Sequence, residues 1–365
     1  MRSRILPIAF LLLSAPSIPG QARCAPPQSM KGRLQDRPSA AALNDLGVWF
    51  ASQQQYACAA DAFATSLQME PNQPDMAHVA FMFGASLYFS GDTKEAIDAL
   101  QQAEQLGYRD IKLHTILATA LDASRSTKDA EAEWRAALTL DPESSTALDS
   151  LSNDLLLDQD FNGVLALLEN PRLLGQRTSQ QSLNLGEAYA RTARLDEAAN
   201  VLRDGLNTSP DSLALANRLA VVLVQLGRQD EAVTVLDLAI AQHPEDSDTA
   251  VHFVELLIAA HPDKAQEAAR RLLLAFPQSS KMLYLNGIVD MKAGNPEQAR
   301  AHLEESLAIQ EDSAQAHEAL GVVLAQLKEM TGAKEHLQRA IALGDNDPEV
   351  KENLARIQRA LDAGK

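Results

Sequence analysis

The sequence predicts an all-α chain, a solenoid of about nine helix–turn–helix units closed by a C-terminal helix. Three observations predict it. A small residue returns at Gly47, Gly84, Ala118, Ser152, Gly186, Ala220, Gly287 and Gly321, with Phe253 in the same series, at gaps of 37, 34, 34, 34, 34, 33, 34 and 34 residues. Hydrophobic residues make up 46% of the chain but aromatics only 4%, so any core is built from Ala, Leu and Val, a balance that favours helix. At 365 residues the chain exceeds one ordinary compact core, and a repeat array resolves that excess without a second domain.

The elements follow in chain order. Residues 1–22 read as a signal peptide: Arg2 and Arg4 precede the short apolar run Ile5–Ala15, and Gly20 and Ala22 supply small residues for cleavage near Ala22. The run falls short of the roughly 20 apolar residues that span a bilayer, and no later segment is apolar enough. The expected destination is periplasmic or extracellular. Arg23 stands before Cys24 where a lipid-modification motif wants a small residue. Residues 23–39, with Pro26, Pro27, Gly32 and Pro38, read as a flexible leader. Cys24 and Cys58 can pair in an oxidising compartment. The favoured reading instead leaves Cys24 in the mobile leader and makes Cys58 a small helix residue.

Residues 40–346 carry the repeat. Twelve residues after most of the small sites comes Ala: Ala59, Ala96, Ala130, Ala198, Ala232, Ala265, Ala299 and Ala333. Four further on a bulky residue is usual, as in Phe63, Leu100, Trp134, Leu168, Leu202, Leu236, Leu303 and Leu337, and Pro closes many units, as at Pro71, Pro142, Pro210, Pro244 and Pro277. A small residue where two helices cross lets them approach, and the bulky one fills the space beside the crossing. Asn295-Pro296-Glu297-Gln298 and Asp92-Thr93-Lys94-Glu95 read as capping boxes that open second helices. The fourth unit is irregular at Asn162-Gly163-Val164 and Pro171, and the seventh at Phe253 and His261-Pro262. Residues 347–365 give a capping helix and tail, with Val350, Leu354, Ile357 and Leu361 on one apolar face.

These spacings and residue types resemble the tetratricopeptide repeat. The resemblance implies a right-handed superhelix whose first helices line a concave groove that takes extended peptides or helices. It implies no cofactor and no catalysis. No metalloprotease, phosphate-loop, nucleophile-elbow or CxxC motif interrupts the repeats, and the eight His show no metal-ligand spacing along the chain.

A formal net charge of −17 repels phosphate backbones, which argues against nucleic acid as a partner. The expected partner is a protein or peptide. Projecting the first helices by their period gives candidate groove residues: Phe81 and Tyr88 early, Asn153, Asn184, Glu187, Arg191, Asn217 and Arg218 in the middle, and Tyr284 late. Asn can hold a peptide backbone and Arg a carboxylate. Some tetratricopeptide domains clamp a C-terminal carboxylate with Asn, Lys and Arg. Asn153, Asn184 and Arg218 match such places, but Asp149 and Ala214 stand where the clamp has Lys. The expected function is an exported, non-catalytic adaptor. The alternatives are a structural or self-assembling component, with homo-oligomers, and an accessory subunit of an envelope enzyme complex.

Overall fold

The computed structural model describes residues 24–36 and 39–363. The expected signal peptide falls outside them. Among the described residues there are twenty α-helices, one short 3-10 turn and no strand. The chain is an α-solenoid of helical repeats that divides into two compact units, up to Pro142 and from Glu143.

The first unit holds α1 (Gln28–Asp36) and three helix pairs: α2 (Ala40–Ser52) with α3 (Tyr56–Met69), α4 (Met76–Ser90) with α5 (Thr93–Gln105), and α6 (Ile111–Ala123) with α7 (Thr127–Leu140). The second holds six pairs and a closing helix. These are α8 (Ser145–Leu157) with α9 (Phe161–Leu168), α10 (Ser179–Arg191) with α11 (Leu195–Thr208), and α12 (Leu213–Gln225) with α13 (Gln229–Gln242). Then come α14 (Ser247–Ala260) with α15 (Pro262–Ala275), α16 (Ser280–Lys292) with α17 (Pro296–Ile309), α18 (Ala314–Gln326) with α19 (Met330–Ala342), and α20 (Pro348–Ala363).

Steric fit at the crossing explains the small residues. A Cβ added to Gly186 would lie 2.7 Å from Leu202, and one added to Gly47 2.7 Å from Phe63. Gly287 and Gly321 meet Leu303 and Leu337 in the same way. The seventh repeat inverts the pair: Phe253 occupies the small site and Ala269 the bulky one, and both are buried. Its irregularity is therefore a reciprocal exchange of volume, which close-packed interiors accept best.

The turn seven residues after the small site adopts positive φ in eight repeats. Gly91, Gly227 and Gly294 supply it freely, while Gln54, Arg125, Gln159, Ala193 and Lys328 adopt it against their Cβ. In the seventh repeat α14 runs on to Ala260, and Pro262 holds His261 at φ −139°, so the left-handed residue is lost. In the fourth, α9 has only 8 residues before a 3-10 turn at Pro171–Leu173.

Two expectations are corrected. Neither Asp92 nor Asn295 caps its helix with a side-chain hydrogen bond. The tight turn sets Asn295 at φ −110°, ψ 66°, away from the extended N-cap geometry, and Ser90 Oγ donates to the Asp92 carboxylate. Side-chain caps open mostly first helices, with Ser39, Asp110, Thr178, Ser212, Asp246, Ser279 and Ser313 each accepting from a backbone N–H, and one second helix, α9, where Asp160 accepts from Gly163.

The second correction concerns the leader. Residues 28–36 form α1, whose Met30 and Leu34 pack on the core of Leu46, Phe50 and Phe63. Cys24 is bonded to Cys58 on α3, with the two Cα atoms 5.5 Å apart. Proline content alone overstated the freedom of this stretch, because it took no account of the apolar pair or the cross-link.

At the other end α20 buries Val350 and Ile357 against the ninth repeat, with Leu354 and Leu361 partly covered. In that repeat His317 Nε2–H donates to the Glu311 carbonyl at 2.9 Å, which leaves its Nδ1 to accept from His336 Nδ1–H, also at 2.9 Å. Burial, and then the neighbouring His317, hold His336 below its usual pKa, while Glu335 and Glu304 pull the other way. The neutral form is thus the folded form. Its contribution to stability is complete above about pH 6.5, the unfolded value, and is lost as pH falls through the lower folded value. Urea midpoints should fall from pH 8 to 5, and His336→Ala should flatten part of that slope. His252, lowered chiefly by burial, accounts for a further part.

Candidate functional site

Within the second unit each first helix touches the next, α8 with α10, α10 with α12, and α12 with α14. This contact decides the fate of the projected groove residues. Asn184 is only 3% exposed. Its Nδ2 donates to Ser152 Oγ at 2.7 Å and Asn153 Oδ1 at 2.8 Å, and its Oδ1 accepts from Gln180 Nε2 at 2.8 Å. Asn217 Nδ2 donates to Thr249 Oγ1 at 2.8 Å. Asp149 Oδ1 accepts from Thr178 Oγ1 at 2.9 Å and Gln181 Nε2 at 2.7 Å. These amides spend their hydrogen bonds on the neighbouring repeat and not on a ligand. They form a polar seam that fixes the register of successive first helices.

The aromatic candidates also serve packing. Phe81 is 5% exposed and stacks on Tyr108 with centroids 4.6 Å apart. Tyr88 meets the edge of Phe89 at 5.3 Å. Tyr284 packs against the apolar cluster of the last repeats, where burial, then Glu318 and Glu255, raise its pKa. Phe81 and Tyr88 belong to the first unit and the other candidates to the second, so the nine do not form one site within either unit.

Four candidates do come together. Asn153, Glu187 and Arg191 line an open cleft of about 690 Å³ with Leu156, Leu157, Gln159 and Phe161. Arg191 Nε donates to Glu187 Oε1 at 2.6 Å, and Arg218 from α12 pairs with Glu187 Oε2. Two guanidiniums therefore share the one carboxylate of the lining. Burial lowers the Arg218 pKa, and its Nε has no hydrogen-bond partner among the described residues. Leu157 is 78% exposed beside them. The carboxylate clamp is not assembled, because Asn184 is buried in the seam and Arg218 is held by Glu187.

Leu156, Leu157 and Phe161 escaped the sequence reading. A signal was present, since Leu155-Leu156-Leu157 puts three Leu in sequence and a single helix face cannot bury all three.

Two segments, residues 189–252 and 284–348, match tetratricopeptide repeat families. The chain is a tetratricopeptide repeat protein. Tetratricopeptide repeats form a protein–protein interaction scaffold. No curated protein matches the chain. Among solved structures it is similar to MamA from Desulfovibrio magneticus RS-1, at 17% identity, covering 45% of this chain and 94% of that one with a TM-score of 0.40. It is similar to pilF of Pseudomonas aeruginosa at 18% identity, covering 50% and 84%, with a TM-score of 0.44. A thermophilic tetratricopeptide protein of Thermus thermophilus gives 18% identity, 50% and 99% coverage, and a TM-score of 0.40. At such values the family rests on the matched segments and the repeat itself. Among the described residues no helix is long and apolar enough to cross a membrane.

Proposed function

We propose that this tetratricopeptide repeat protein is an exported, non-catalytic adaptor that holds a protein segment in the cleft between α8 and α10. The carrying observation is that cleft, where exposed Leu157 and half-buried Phe161 lie beside two guanidiniums that share one carboxylate. The occupant it fits is an extended segment with an apolar side chain for the leucines and an adjacent carboxylate for Arg191. Asn184, Asn217 and Phe81 serve packing and are not offered as contacts for this occupant.

Export is supported by the Arg-flanked apolar N-terminus and by the Cys24–Cys58 bond, which suits an oxidising compartment. A thiol in that bond is not available for lipid attachment, which favours cleavage near Ala22 over anchoring at Cys24.

A displayed random-peptide library selected against the full chain tests the cleft. Selected peptides should combine an apolar residue with an acidic one, and Leu157→Asp should weaken them at least ~10-fold, about 1.4 kcal/mol. Arg191→Glu should reverse the charge preference. Failure to enrich any peptide, or equal affinity in both variants, would remove the proposal.

A further inference from the structure

The nine repeats of one chain serve as a template for one another, and one junction breaks the template at three places together. The position twenty residues after the small site is Leu67, Leu138, Leu206, Ile240, Leu273, Leu307 and Ile341 in seven repeats, but Arg172 in the irregular fourth and Glu104 in the second. Four residues before the small site stand Leu43, Ala80, Leu148, Ala216 or Leu283, with Ser182 and Thr249 in two repeats, His317 in the ninth and His114 in the third. Fifteen residues after it stand Ala62, Ala99, Leu167, Val201, Val235 or Ala268, with His302 and His336 in the last two repeats and Glu133 in the third. A stacked repeat puts these three positions side by side.

The structure places them on three consecutive helices of the first unit, Glu104 on α5, His114 on α6 and Glu133 on α7. Their donor atoms all lie within 4.8 Å of one another. His114 is 5% exposed and both glutamates are half-buried. His114 Nδ1 lies 2.7 Å from Glu133 Oε2. The adjacent Arg109 directs Nη1 to the backbone carbonyls of Glu104 and Tyr108, at 3.0 and 3.1 Å.

Putting two carboxylates and an imidazole together, where no other repeat junction gathers all three, is unfavourable unless something compensates them. One His nitrogen and two carboxylate oxygens from a partly covered site are a donor set for a borderline divalent ion. Tetrahedral zinc with bonds near 2.1 Å spaces its ligand atoms roughly 3.4 Å apart. The present separations, 2.7 Å between His114 Nδ1 and Glu133 Oε2 and at most 4.8 Å among the three donors, bracket that spacing. The analogous pair in the ninth repeat, His317 and His336, has Leu307 at the third place and lacks the third donor.

We propose that Glu104, His114 and Glu133 bind a zinc ion that staples the second repeat to the third. The ion takes the place of the proton between His114 Nδ1 and Glu133, and an open coordination position is left for water. The absence of ligand spacing along the chain did not reveal the site, because the donors come from three helices and meet only through stacking.

The test is a calorimetric titration of the EDTA-treated full chain with zinc chloride. The expected result is one ion per chain with micromolar or tighter affinity. Glu104→Leu, which restores the residue type of Leu67 and Leu138, should weaken binding at least ten-fold while keeping the circular dichroism of the parent. Glu133→Gln should do the same, and His317→Asn should leave binding unchanged. No zinc binding to the parent overturns the proposal. So does equal affinity in Glu104→Leu and Glu133→Gln, or calcium chloride binding as tightly as zinc chloride.

Discussion

Gly186→Leu is expected to destabilise the fifth repeat by about 3 kcal/mol, the upper end for overpacking a core. Even a bare Cβ at this place would lie 2.7 Å from Leu202 Cγ and Cδ2, so a whole isobutyl group forces α10 and α11 apart. Leu202 is itself fully buried, and Leu202→Ala alone should cost about 2–5 kcal/mol through the cavity it leaves. The two changes together should cost far less than their sum, because the new side chain occupies the space the old one leaves. Phe253 with Ala269 shows that the fold accepts this inverted arrangement. Hydrogen exchange at α10 and α11 beside urea midpoints checks the cycle, since local losses in a repeat chain need not move the global transition. Strict additivity of the two single changes would mean that the pair does not share one space.

Removing the Cys24–Cys58 bond is expected to lower the stability of the first unit by about 2–4 kcal/mol, the usual contribution of a cross-link closing a loop of this order. The sequence separation is 34 residues, one full repeat, so the bond ties α1 to the second helix of the first pair. Met30 and Leu34 then cover part of the Leu46–Phe50–Phe63 core. Without the bond α1 must hold by those few contacts, which is little for a 9-residue helix. The melting temperature of the parent should fall in reductant, and that of the Cys24→Ser, Cys58→Ser double variant should already be low and stay unchanged. Equal amide protection in α1 with and without reductant would contradict this account.

The repeat was legible because its period survives every substitution: α3, α5, α7 and each later second helix begin nine residues after the small site. The left-handed turns were legible only where Gly91, Gly227 and Gly294 mark them. Gln54, Arg125, Gln159, Ala193 and Lys328 adopt the same conformation because the two flanking helices dictate it, and local propensity carries no trace of that. The groove was read with less success for a related reason. A helical period tells which residues share a face, but not that the next first helix covers Asn184 or that Tyr108 covers Phe81. Leu157 was missed because a run of Leu reads as core until one asks how many of them a face can bury. Glu104, His114 and Glu133 are ordinary along the chain and become visible only with the repeats laid in register.

The inverted pair at Phe253 and Ala269 has a further effect on how the chain sorts itself while folding. A string of near-equivalent hairpins can mispair, with the second helix of one docking on the first helix of another. A helix bearing Leu or Phe at the crossing would collide with Phe253, and α15, bearing Ala269, would leave a void against any glycine-bearing partner. That hairpin therefore fits its own two helices better than it fits a glycine-bearing neighbour, and mispairing across it is disfavoured.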